Sequence, residues 1–207
     1  MHPYRHIPAL CLSLVLGAVG IAASFSGPAA QLSEQIEGAF KLLNDPALQG
    51  AGHDSERRAA LRQIAVETFD FTETARRVLG THWTARTPDE QDRFVHAFVD
   101  LVDHAYLRRV DQFGNQRLVV GDQAIQADEA TVKVNVVAKD GDSTAIDFLM
   151  VRTAGDRWRA YDVKIAGMSL VSSYRSQFNK IIRSASYDEL IKRLEAKTAS
   201  RDGVASP

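Results

Sequence analysis

The chain has 207 residues, 45% of them apolar and 25% charged, which is the composition of one folded domain or a domain with a small helical annex and excludes disorder throughout. Its 25 Lys and Arg stand against 26 Asp and Glu, a net charge of -1, so there is no cationic surplus to follow a phosphate backbone and nucleic acid is not an expected partner.

Met1 to Pro8 carry one full positive charge, Arg5. The apolar run Ala9 to Ala23 follows, then the small-residue segment Ser24 to Ala30. This is the order of a secretory signal peptide. The run is shorter than the roughly 20 residues of a spanning helix, and no positive flank follows it to stop transfer. Residues 1–30 are therefore read as a signal peptide cleaved between Ser24 and Ala30, with an uncleaved anchor as the alternative. Cys11 precedes the bulk of the run, where a lipid-modified cysteine would end it. Removing the segment takes one arginine away, leaving 24 basic against 26 acidic side chains and no cysteine. An exported chain without disulfides must rely on its core, and this length can bury one of sufficient size.

Leu32, Ile36, Phe40 and Leu43 repeat at helical spacing until Asn44-Asp45-Pro46 stops them, and Leu61, Ile64 and Ala65 open a second amphipathic helix. Thr72 reads as the cap of a short helix closed by Gly80 after Val78-Leu79. Thr87-Pro88-Asp89-Glu90 is a stronger start: threonine caps, proline takes the first helical position and glutamate reaches back. The helix it begins carries Phe94, Phe98, Leu101, Val102, Ala105 and Tyr106 on one stripe and is predicted to reach Phe113, before Gly114. Beyond that the period falls to two. Arg117 to Val120 and Ala124 to Ala127 are short strands; Val132, Val134, Val136 and Ala138 alternate with polar residues; Asp140-Gly141 turns the chain into Ser143 to Arg152, apolar on both faces. A turn at Ala154-Gly155-Asp156 leads into Arg157 to Ala166, completing a meander of about four strands. Gly167-Met168-Ser169 breaks the sheet. Two helices follow, one capped by Ser169 with Leu170, Tyr174, Phe178, Ile181 and Ile182 inward, one opened by the box Ser186 to Glu189 with Leu190, Ile191 and Leu194 inward. The order is α+β, a single domain over 31–197 with 198–207 as a polar, disordered tail.

Chemistry-bearing clusters are sparse. His96, Asp100 and His104 share a helix face at metal-ligand spacing, but that face lies away from the apolar stripe and no fourth ligand is nearby, so it reads as a solvated face. Asp140-Gly141-Asp142 lacks the acids of a calcium loop. Ser169, Ser172, Ser173 and Ser176 sit in no nucleophile turn and have no histidine close in sequence. Asp162 alternates with Trp158 and Ala160 and would share their face. It is read as a buried acid satisfied by backbone N–H groups or by an arginine such as Arg175, and alternatively as a general base. The apolar stripes exceed what a thin helix-on-sheet layer needs, and a curved sheet wrapped by helices can enclose a ligand cavity.

Val78-Leu79-Gly80, Trp83, Thr87-Pro88 with Phe94 and Phe98, Trp158-Arg159-Ala160-Tyr161-Asp162-Val163, Gly167 to Val171, the run Tyr174 to Phe178 and Asp188-Glu189-Leu190-Ile191 resemble the MlaC (toluene-tolerance, Ttg2) family of periplasmic phospholipid-binding proteins over roughly 55–197. Ser186 and Glu189 stand where that family usually has glycines. The resemblance implies an NTF2-like curved sheet wrapped by helices around an apolar cavity. It implies a periplasmic carrier moving phospholipid between inner and outer membranes and so serving outer-membrane lipid asymmetry. Its implied partners are an inner-membrane ABC transporter complex with an MCE domain and an outer-membrane lipoprotein-porin complex. Tails would lie inside and the head group outside, with weak head-group selectivity; phospholipid is cargo, no cofactor or metal is expected, and the protein is expected to be a monomer. Motif positions and periodicity together nominate Val78, Leu79, Phe94, Phe98, Leu101, Val134, Val136, Phe148, Met150, Val163, Met168, Val171, Tyr174 and Phe178 as cavity lining. The alternatives are a carrier of hopanoid or another apolar lipid, an adaptor with a solid core, and an isomerase-type enzyme using Asp162 with Tyr106 or Tyr161 as donor.

Overall fold

The computed structural model describes residues 27–106 except 49 and 51, and 117–202 except 139 and 140. The apolar run 9–23, the stretch from 107 to 113 over which the sequence predicts the long helix to continue, and the Asp140 turn residue lie outside the described residues. Helix α1 spans Pro28–Leu43, α2 Asp54–Thr68, α3 Phe71–Leu79 and α4 Pro88–Tyr106. Strands β1 (Arg117–Gln126), β2 (Glu129–Val137), β3 (Ser143–Thr153), β4 (Arg157–Ile165) and β5 (Met168–Ser169) follow, then α5 (Leu170–Ser184) and α6 (Tyr187–Asp202). The strands pair antiparallel in chain order, β1 to β5, in one open sheet.

The predicted caps at Thr87, Ser169 and Ser186 form. Thr87 and Glu90 exchange side-chain and backbone bonds at 3.3 and 2.8 Å, Ser169 Oγ accepts from Ser172 N at 2.9 Å and Ser186 Oγ from Glu189 N at 3.0 Å. Asp70, not Thr72, caps α3, accepting from Glu73 N at 2.9 Å, because the helix begins two residues earlier, at Phe71. Gly80 ends it at a φ of 55°, a value glycine adopts at least cost.

Four boundaries differ from the sequence reading. Pro28 to Ala30 form the first turn of α1, with Pro28 fully buried, and α6 runs past 197 to Asp202. The segment Gly167-Met168-Ser169 does not break the sheet. Ala166 and Gly167, both at positive φ (49° and 81°), make a tight hairpin that returns Met168 and Ser169 to pair with Ile165 and Lys164 as a fifth strand. The two short strands 117–120 and 124–127 are one strand with a bulge between Val120 and Gln123.

A second bulge matters more for the site. Leu149 pairs with Asp162 but Met150 pairs with Ala160, which leaves Tyr161 as the extra residue. Opposed residues of an antiparallel pair point the same way, so Val163 and Ile165 join the face of Trp158, Ala160, Phe148 and Met150, and Asp162 moves to the other face with Leu149. Strict alternation had placed Asp162 beside Trp158.

Two apolar cores result. Helices α3 to α6 enclose Val78, Leu79, Phe94, Phe98, Leu101, Phe178, Leu190 and Ile191, with Phe94 and Phe98 stacked 5.9 Å apart and Phe178 edge-on to both. Leu32 of α1 packs on the sheet residues Val132, Val134, Met150, Trp158 and Ala160. Gln31 fastens α1 to the β3–β4 turn, donating to Asp156 O at 3.0 Å and accepting from Trp158 N at 2.9 Å.

Candidate functional site

The link from α2 to α3 runs alongside β4. Phe69 forms a parallel bridge with Ala160, Asp70 N donates to Ala160 O at 2.8 Å, and Arg159 donates to the carbonyls of Val66 and Phe69 at the end of α2. That anchoring sets the rings of Phe69 and Phe71 5.8 Å apart, stacked, with Phe148 of β3 6.3 Å from Phe69.

These rings wall an apolar cavity of about 240 Å³. Arg62 and Ala65 of α2, Val99, Val102 and Asp103 of α4, Phe148 of β3, Val163 and Ile165 of β4 and Leu170 of α5 complete its lining. A pocket of about 50 Å³ adjoins it through Phe69, Phe71, Val102, Val163 and Leu170, and adds Thr74, Phe98, Tyr161, Asp162, Val171 and Tyr174. The side chains presented are overwhelmingly hydrocarbon, so the space suits an apolar guest and, away from Arg62 and Asp103, offers nothing to hold water.

Of the fourteen nominated residues, Phe98, Phe148, Val163, Val171 and Tyr174 line one or both pockets. Val78, Leu79, Phe94, Leu101 and Phe178 belong to the helical core, Val134 and Met150 to the core under α1, and Val136 is half-buried on β2. Met168 is 70% exposed on β5, because the hairpin carries it out of the layer. The physical reason for the displacement lies in α4. Its Phe94, Phe98 and Leu101 stripe faces α5 and α6, while Val99 and Val102, about 100° round the helix from Phe98 and Leu101, face the cavity. Phe69 and Phe71 were also missed. Their signal in the sequence was an aromatic pair in the short link between two helices, apolar residues with no helical stripe of their own.

Asp162 is 7% exposed and fully engaged. Its Oδ1 accepts from Val163 N at 2.8 Å and Val171 N at 3.0 Å, and its Oδ2 from Ser169 Oγ at 2.5 Å. Two backbone N–H groups thus satisfy it, as one reading of the sequence had it; Arg175 donates instead to Arg77 O at 2.8 Å. Tyr161, the bulged residue, lies under the Arg77 guanidinium at 3.6 Å, and burial pushes its phenol above the ordinary value while Arg77 works against that. Of Tyr106 the side chain lies outside the described residues. His96 and His104 turn Nδ1 to the helix carbonyls of Asp92 and Asp100, each at 2.8 Å, and Asp100 accepts from Arg62 at 3.0 Å. No cluster of three potential metal ligands occurs among the described residues, and no helix there is long and apolar enough to cross a membrane.

The chain is 20% identical over 142 residues to the intermembrane phospholipid transport system binding protein MlaC of Haemophilus influenzae, a match covering 67% of this chain and 66%, just under two thirds, of that relative. Its fold is shared with a phospholipid-binding protein of Ralstonia solanacearum solved in complex with a phospholipid, at a TM-score of 0.73 and 22% identity over 84% of this chain and 98% of the other. The family model described as MlaC protein matches residues 33–196, from the first helix through most of the last, and takes in the helical core, the sheet side of the core under α1 and every wall of the cavity. The chain therefore belongs to the MlaC family.

Proposed function

We propose that the protein is a periplasmic carrier that takes phospholipid acyl chains into its apolar cavity and shuttles the lipid between inner and outer membranes. The observation that carries this reading is the cavity walled by Phe69, Phe71, Val102, Phe148, Val163 and Leu170 between two separate cores. Membership of the MlaC family, and a shared fold with a protein solved holding a phospholipid, support it. The signal-peptide pattern of residues 1–30 supports export. Its partners at the two membranes would be the inner-membrane MCE-type transporter and the outer-membrane lipoprotein-porin complex.

The energetics suit a carrier. Burying about 30 methylenes from water is worth roughly 0.8 kcal/mol each, a gross gain of about 24 kcal/mol. A lipid in a bilayer already has that burial, so transfer into a hydrocarbon cavity is close to neutral in its apolar part and needs no fuel in the carrier itself. The test is mass spectrometry of the organic extract of protein purified from a periplasm without detergent. Stoichiometric diacyl phospholipid is the expected result; an empty protein, or a hopanoid in its place, overturns the reading.

A further inference from the structure

The one charged part of the cavity wall is where α2 approaches α4. Arg62 and Asp103 both line the cavity. The Arg62 guanidinium bonds Asp100 Oδ1 at 3.0 Å and stands 3.7 Å from Asp103 Oδ2. Asp103 is only 8% exposed, yet its Oδ1 is buried with no hydrogen-bond partner among the described residues. A buried carboxylate oxygen lacking a donor is costly, and its persistence beside a ligand cavity marks an acceptor waiting for a donor. The trio also holds two carboxylates against one guanidinium.

We propose that Arg62, Asp100 and Asp103 form a head-group subsite that takes a phospholipid whose head group carries an ammonium beside its phosphate. This rests on the phospholipid-carrier reading and sharpens it. With the tails in the cavity, the phosphate lies at the Arg62 end and draws the guanidinium into a charge-assisted pair. The ammonium, with donors and no acceptor, takes the place Arg62 leaves at Asp103 and supplies the missing bond to Oδ1. A zwitterion leaves the charge of the trio unchanged. An anionic head group ending in hydroxyls adds a charge to a site that is already negative and leaves two carboxylates facing a phosphate. Selectivity is then stronger than a head group lying free in water would give.

The test presents the full exported protein with vesicles of equimolar phosphatidylethanolamine and phosphatidylglycerol of matched chains, and reads the ratio of the two lipids captured. The wild type is expected to enrich the ethanolamine lipid about fivefold over the vesicle, a charged hydrogen bond discounted for a half-exposed site. Asp103→Asn brings the ratio back toward one. Should that variant fail to fold, Asp100→Asn, at a half-exposed position, lowers the same ratio in part, and Arg62→Gln weakens capture of both lipids. A wild-type ratio equal to that of the vesicle, or a preference that survives the folded aspartate variants, overturns the subsite while leaving the carrier reading intact. Capture of neither lipid by the wild type overturns both.

Discussion

Asp162 joins three elements through one side chain. Ser169 Oγ, which also caps α5, and the N–H groups of Val163 and Val171 all donate to it, so the carboxylate ties β4 to the β5–α5 junction beside the cavity. Asp162→Ala leaves two backbone donors and a hydroxyl without acceptors in a buried place and is expected to cost about 3 kcal/mol. Asp162→Asn keeps an oxygen for the backbone donors and should cost less than half as much, both read from urea unfolding midpoints. Val102 is a different kind of residue. It lines both pockets, is only half-buried and contributes no polar bond, so Val102→Glu puts a charge where the carrier reading places the acyl chains without emptying the core. Lipid should vanish from the purified variant while its far-UV circular dichroism stays that of the wild type; lipid retained at native stoichiometry would refute the placement of the tails.

Two helices carry predictions of their own. In α1, Pro28 is buried and Ala29 N donates to the Gln123 side chain at 2.9 Å, so the first turn is part of the packed domain. The signal peptidase cut, which the sequence places between Ser24 and Ala30, should fall before Pro28. The intact mass of the exported protein checks this, and a chain beginning at Gln31 would contradict it. In α6, Tyr187 is buried against α4 and its hydroxyl donates to Glu90 O at 2.6 Å. Burial, reinforced by the charge of Glu90, pushes its phenol from 10.0 up to about 12. The folded state thus holds a proton that the unfolded chain releases near 10, so this stabilisation is whole below pH 10 and is lost as pH rises through about 12. Urea midpoints at pH 9 and pH 11 should therefore fall further apart in the wild type than in Tyr187→Phe.

For the molecule as a whole, the cavity of about 240 Å³ is smaller than the roughly 300–1,000 Å³ of pockets that enclose drug-sized ligands. A diacyl lipid is larger still, so on the carrier reading loading would have to part the walls. Because Phe69 and Phe148 pack on the core under α1 while Phe98, Val102, Val171 and Tyr174 of the helical core line the adjoining space, separating the two groups widens it without unpacking either core. A bound lipid stabilises the folded state by mass action, and delipidated protein should melt at least about 4 °C below the loaded form by calorimetry. Equal melting temperatures would mean that nothing of consequence fills the cavity.

The sequence by itself determined the element order, because helical and strand periods, caps and turn residues are local properties: the Thr87 box, the Ser169 cap and the alternation of Val132, Val134 and Val136 each act within a few residues. It determined the family as well, since the Trp158 to Val163 strand and the Gly167 to Val171 segment are readable letter by letter. Only the tertiary structure decided which apolar residues face the cavity. Periodicity marks a side chain as inward but cannot say whether inward means Phe178 across a core or empty space beside Val163. It likewise could not foresee the bulge at Tyr161, a single extra residue that sent Asp162 to the other face of the sheet, because a bulge is chosen by the pairing of two strands and by neither strand alone.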